Sequence, residues 1–283
     1  MHVRILGFLL LLTLARCAAN AADDSGPLAS PIDRAYSRLY NFDFNSTHRI
    51  LDQYISAHPS DSVGYAVRAA AYLFSELDRL MILESDFFTD DRRINEKKKL
   101  KPDPALKRKL FAAVEKAQQA GRSSLASDPR DRNALFAMAM AAGIKTDYSA
   151  FVEKRQLASL SYAKESQSYA VRLLQADPKF YDAYLTTGLS EYLVSSLPFF
   201  VRWFVRFEQT KGSKEQAVKN LQLVARSGRY LGPFAKILLA VIHLREKAPR
   251  ESKRLLEELA QDYPENPLFH RELARLSARL VSE

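Results

Sequence analysis

Cysteine is almost missing from this sequence: Cys17 is the only one, and it lies in an N-terminal stretch that reads as a leader. Once that leader is removed the chain has no thiol. Neither a disulfide framework nor a Cys-ligated zinc site can then hold the fold, which must rest on packing. Glycine is scarce as well, with nine in 283 residues. No phosphate-cradling Gly-rich loop and no Gly-x-Ser-x-Gly elbow occurs, so two common enzyme signatures are absent. β-Branched runs are few, and the even spacing of short strands and turns that marks an all-β fold is not found. No apolar run reaches the ~20 residues that a membrane-spanning helix needs.

Chemistry-bearing side chains are equally sparse. His48, His58, His243 and His270 form no His-Glu-x-x-His pair and have no cysteine partner. Asp86, Asp90 and Asp91 cluster, but without the spacing or the glycine of a calcium loop. Glu257 and Glu258 stand beside Lys253 and Arg254 on a helix face, where surface ion pairing is the ordinary outcome. We therefore expect no catalytic residue, no metal site and no cofactor.

Arg4, the apolar run Ile5 to Leu14 and the small residues Ala19-Asn20-Ala21 have the order of a secretory signal peptide, with cleavage after Ala21. Leu14-Ala15-Arg16-Cys17 is similar to a lipobox only in part. Arg16 stands where that motif needs a small residue, so lipidation at Cys17 is not expected. Loss of residues 1–21 removes Arg4 and Arg16 and lowers the net charge from +9 to +7. An exported basic chain, periplasmic or extracellular, can meet anionic membrane or polysaccharide surfaces, whereas nucleic acid is not an expected partner.

What the chain does contain is Ala, Leu and helical periodicity, and 47% hydrophobic residues suffice for a sizeable core. Residues 22–32 are small and polar and read as a lead-in. From residue 33 to the end the pattern is one of helical hairpins. The clearest has Phe234, Ile237, Leu238, Val241 and Leu244 on one helix and Leu255, Leu256 and Leu259 on the next. Such a hairpin cannot bury its apolar face alone and implies stacked neighbours. Residues 267–282 read as a closing helix, with Leu268, Leu273, Leu276 and Leu280 on one face and Arg271, Glu272, Arg275 and Arg279 on the other.

The hairpins end alike: His58-Pro59-Ser60-Asp61, Asp128-Pro129-Arg130-Asp131, Asp177-Pro178-Lys179 and Tyr263-Pro264-Glu265-Asn266. Proline cannot continue a helix, and the nearby Asp or Asn can cap the next one. Twelve residues before each proline stands a small residue, Thr47, Ala117, Ser166 or Ser252, and Ala217 fills the equivalent place in a unit that lacks the proline. Tyr184, Gly188 and Tyr192, then Ala240, supply further aromatic and small positions. A proline closing a helix–turn–helix unit of roughly 34 residues resembles the tetratricopeptide repeat (TPR). The resemblance implies an all-α, right-handed superhelix of stacked hairpins. The prolines are unevenly spaced, so segments must be inserted. Ser195 to Leu239 also resembles, in its order of elements, a eukaryotic TPR-containing family of outer-membrane and inclusion-body clearance proteins. That family's Gly-Phe-x-Gly-Asp-Arg turn reads Gln209-Thr210-Lys211-Gly212-Ser213-Lys214 here, so the architecture is carried over and the cellular role is not.

In a TPR superhelix the first helix of each unit lines a concave groove. Mapped onto this chain, the groove would include Val63, Ala66, Ala70 and Leu73, then Phe136 and Met140, then Leu185, Leu189 and Tyr192, then Phe234, Ile237, Val241 and Leu244. It is apolar and aromatic, and an open groove of that kind needs an occupant. We expect an exported, non-catalytic interaction scaffold that binds an apolar segment of a protein partner. Phe136, Met140, Leu185, Leu189, Tyr192, Ile237 and Val241 are the contact residues.

Two insertions interrupt the repeats. Residues 84–109 turn from acidic to strongly basic and read as a solvated excursion whose basic half can dock an anionic partner. Residues 193–214 contain Pro198, Phe199, Phe200, Arg202, Trp203, Phe204, Arg206 and Phe207. This segment is expected to pack into its own protein, as one candidate occupant of the groove. The alternative is a peripheral membrane protein docking through 198–207 in a bilayer interface.

Overall fold

A computed structural model describes residues 29–86, 101–196 and 213–282. The predicted leader with Cys17, the middle of the first insertion and the aromatic segment Pro198 to Phe207 lie outside the described residues. Within them the chain is all helical, with 11 α-helices and no strand. They are α1 Pro31–Tyr40, α2 Phe44–Ala57, α3 Ser62–Arg79, α4 Pro104–Ser127, α5 Arg132–Asp147, α6 Gln156–Ala176, α7 Ala183–Ser196, α8 Lys214–Ser227, α9 Gly232–Arg245, α10 Pro249–Asp262 and α11 Pro267–Ser282. A π-helical turn, Tyr148–Val152, follows α5.

Each helix packs on its successor along the whole series, as in an α-solenoid, and α1, α3, α5 and α7 also touch one another in turn. Two kinds of connection repeat. Inside a hairpin, the chain leaves α1, α3 and α9 through a left-handed residue that is not glycine: Phe42 at φ 61°, Met81 at φ 57° and Lys247 at φ 58°. Each is closed by the same long-range helix-end bond. Asp43 N donates to Arg38 O at 3.0 Å, Ile82 N to Leu77 O at 2.8 Å and Ala248 N to His243 O at 2.8 Å. Most proteins place glycine at this point, so the turns explain how a chain with so few glycines forms so many hairpins.

Between hairpins, three of the four proline motifs fold alike. Asp61, Asp131 and Asn266 each donate their backbone N–H to the residue three earlier, at 3.1 Å in every case. Each then caps the next helix: Val63 N to Asp61 at 2.8 Å, Ala134 N to Asp131 at 3.0 Å and Leu268 N to Asn266 at 2.9 Å. The small residues at the shared offset are all buried: Thr47, Ala117, Ser166, Ala217 and Ser252. They stand where helices cross. Ser166 Oγ donates to Ala139 O at 2.8 Å across α6 and α5. A Cβ built on Gly188 of α7 would lie 3.2 Å from Ala217 O of α8.

The first insertion is shorter than its sequence suggests. Pro104 and the Asp103 cap start α4 inside the expected excursion, so Lys107, Arg108 and Lys109 are helical. Asp103 accepts from Ala105 N and Leu106 N at 2.7 and 3.2 Å. The chain returning at 101–103 is clamped by α3. The buried Glu76 carboxylate takes two bonds from Arg79, at 2.8 and 2.9 Å, and one from Asp103 N at 2.8 Å, while Arg79 also donates to Lys101 O at 2.7 Å. At the other end Glu84 is buried rather than solvated, and Ser85 and Asp86 dock on α11.

Candidate functional site

The expected groove is not open where Phe136 and Met140 stand, because α1 packs beside them. This ten-residue helix buries Ile32, Ala35, Tyr36, Leu39 and Tyr40. Its contacts reach far along the chain. Tyr36 Oη donates to Met140 Sδ of α5 at 3.2 Å, and the Tyr36 ring stacks on Tyr230 at 5.0 Å. Tyr40 Oη donates to Tyr230 O at 2.9 Å, and Tyr40 O accepts from Asn266 Nδ2 at 2.6 Å. Asp33 receives a two-pronged bond from Arg229, at 2.9 and 2.8 Å. Burial alone would raise the Asp33 carboxyl, but the bonds from Arg229 and Ser30 outweigh it and hold it below the usual carboxylate range. Glu265 N donates to Asn41 Oδ1 at 3.1 Å, and Arg38 approaches the Glu265 carboxylate at 3.5 Å. Where α3 ends, Arg275 and Arg279 of α11 bond Glu84 and Asp86 at 3.3 and 2.9 Å. The first and last hairpins are therefore in direct contact, and Phe74 of α3 meets Phe234 of α9 edge-on at 5.6 Å.

Under α1 remains a cavity of about 100 Å³. Its walls come from α1, α3, α5, α6, α7 and α9 and include Tyr36, Phe74, Phe136, Met140, Leu185 and Phe234. Of the seven expected groove residues, the cavity unites Phe136, Met140 and Leu185. Leu189, Tyr192, Ile237 and Val241 do not line it and are half-buried elsewhere on α7 and α9. Among the described residues, α1 shares this cavity with Phe136; the aromatic insertion lies outside them.

Sequence reasoning missed two carboxylates that share this cavity. Asp182 is buried and accepts three backbone N–H bonds from the α8–α9 turn: Arg229 at 3.0 Å, Tyr230 at 2.9 Å and Leu231 at 2.7 Å. Burial pushes its carboxyl above the usual range, against the pull of those bonds. Asp147 ends α5 just before the π-turn. It has no hydrogen-bond or ion-pair partner among the described residues, and burial pushes its carboxyl up to about 7. Nothing in the local sequence marks either residue, because the partners of Asp182 and the cavity beside Asp147 come from elements distant in the chain.

The histidines are dispersed. The His48 ring lies tilted against Tyr72, centroids 4.2 Å apart, and burial, with Arg68 nearby, lowers its basicity. His58 packs on Tyr54, and the His270 ring bonds Pro264 O at 2.8 Å. No group of three or more His, Cys, Asp or Glu able to hold a metal occurs among the described residues. No helix among them is long and apolar enough to cross a membrane. Lys253–Glu257 and Arg254–Glu258 are exposed ion pairs along α10, at 3.3 and 2.7 Å. No protein-family model, curated protein or solved structure matches the chain.

Proposed function

We propose that this chain is a non-catalytic interaction scaffold, a TPR-like right-handed superhelix exported through its N-terminal leader. Its partner is a protein that presents an apolar segment. The repeated proline turns, the repeated left-handed hairpin turns and the buried small residues at helix crossings support the repeat reading. Because Phe136, Met140 and Leu185 line the cavity under α1, the partner surface reduces to the rest of the expected set: Leu189 and Tyr192 on α7, and Ile237 and Val241 on α9. One observation carries this reading. These four apolar residues do not line the cavity and keep partial exposure on α7 and α9. Covering what remains exposed of each side chain adds less than the roughly 1.5–3 kcal/mol that full burial of a large apolar side chain gives.

Photo-crosslinking amino acids placed at Tyr192 and Val241 test the reading. Both positions should form an adduct with the same protein in cells that express the full chain. A probe at Leu157, exposed on α6, should not. Adducts at Leu157 alone would move the partner to another surface and overturn the assignment.

A further inference from the structure

The scaffold reading leaves the cavity under α1 unused, and the polar groups there are unevenly satisfied. Tyr36 and Tyr40 spend their hydroxyls on Met140 and Tyr230, Ser166 bonds Ala139, and Asp182 is saturated by three backbone N–H groups. The Asp147 carboxylate and the Thr186 hydroxyl remain without partners among the described residues, and both line the cavity. Around them stand the rings of Tyr36, Tyr40, Phe74, Phe136 and Phe234. No Lys, Arg or His lines the cavity among the described residues.

These features share one sign. Asp147 closes α5, where the carbonyl ends of the helix already make the potential negative. Aromatic faces add the negative side of their quadrupoles. The complement is a cation that brings its own N–H donors and an apolar stem. Calcium and magnesium do not fit, because they demand six or more oxygen ligands, and the described residues offer no group of three His, Cys, Asp or Glu for any metal ion. Size narrows the choice further. An apolar cavity of about 150 Å³ holds the six carbons of benzene, so a cavity of about 100 Å³ takes roughly four non-hydrogen atoms.

We propose that the cavity under α1 binds a small aliphatic ammonium ion. Its N–H groups donate to the Asp147 carboxylate and the Thr186 hydroxyl, and its alkyl stem packs on Met140, Phe136 and Leu185. The raised protonation of Asp147 agrees with this role, since a bound cation supplies the charge partner that the described residues do not. The site is separate from the partner surface proposed above, which shares neither Asp147 nor Thr186.

The test is an NMR titration of the full chain with propylammonium chloride, 1-propanol and sodium propionate, at matched ionic strength. Propylammonium should shift the amides of Asp147 and Thr186 saturably, with 1-propanol weaker by about tenfold or more. Asp147→Asn preserves the shape and removes an unpaired charge, so it should fold, as circular dichroism will show. It should weaken propylammonium binding by about tenfold or more, while Glu115→Gln on the exposed face of α4 leaves it unchanged. Equal binding of 1-propanol, preference for propionate, undiminished binding in Asp147→Asn, or no saturable shift would each overturn the proposal.

Discussion

Asp147 costs the protein stability in proportion to how fully it is charged. Its carboxyl is raised to about 7 by burial, above the unfolded value, so the neutral form favours the folded chain. The stability it contributes is complete below about pH 4 and is lost as pH rises through about 7. Asp182, Tyr36 and Tyr40 share its cavity; Asp182 is shifted in the same direction and the two phenols titrate far higher. Urea unfolding of Asp147→Asn should match wild type at pH 4 and exceed it by on the order of 1–3 kcal/mol at pH 8. An unchanged difference across that range would mean that Asp147 is solvated. A second residue-scale cost lies at Lys247, exposed and held at φ 58°. Lys247→Gly should raise stability by about 0.5–1 kcal/mol, since a left-handed non-glycine residue costs about 1–2 kcal/mol and glycine gives part of that back in entropy. The lysine side chain is exposed, so little packing is lost.

At the scale of elements, the connections divide into those the sequence announces and those it conceals. The Pro-Asp and Pro-Asn turns were legible because capping and helix-breaking are local chemistry, and Asp61, Asp131 and Asn266 do both within a few residues. The small residues at helix crossings were legible because they recur at one offset from the prolines. The left-handed turns at Phe42, Met81 and Lys247 were not, because they use residues with no turn preference. The start of α4 was also hidden: a run of lysines reads as a loop until Asp103 and Pro104 are recognised as a helix start. The α8–α9 turn depends on Asp182, which is about 47 residues away in sequence from the first amide it holds. Gly228 lets that carboxylate approach. A Cβ there would lie 2.7 Å from Val224 O and 2.9 Å from Asp182 Oδ1. Gly228→Ala should therefore destabilise by about 1–3 kcal/mol. Gly143, inside α5, is the opposite case. Its Cβ would meet only Ser166 Oγ, at 3.6 Å, so Gly143→Ala should stabilise by about 0.5–1 kcal/mol. Thermal or denaturant unfolding of the two variants checks both signs.

For the whole molecule, the all-helical class and the order of hairpins followed from periodicity, but the closure did not. Tyr36, Leu39 and Tyr40 read as one face of an ordinary first helix, and nothing local says that they meet Met140, Tyr230 and Asn266. That information is spread over residues up to 226 positions apart. The closure places Phe136, Leu185 and Asp147 on the wall of the cavity under α1 and leaves the α7 and α9 residues exposed in part. Hydrogen exchange of α1 measures it directly. A ten-residue helix is marginal by itself, so its amides are protected only while it is docked. In the full chain, amides of Ala35 to Tyr40 should exchange as slowly as those of α5, and Asn266→Ala at the far end should speed them while sparing α6. Exchange of α1 on the timescale of a free peptide, or indifference to Asn266→Ala, would contradict the closure.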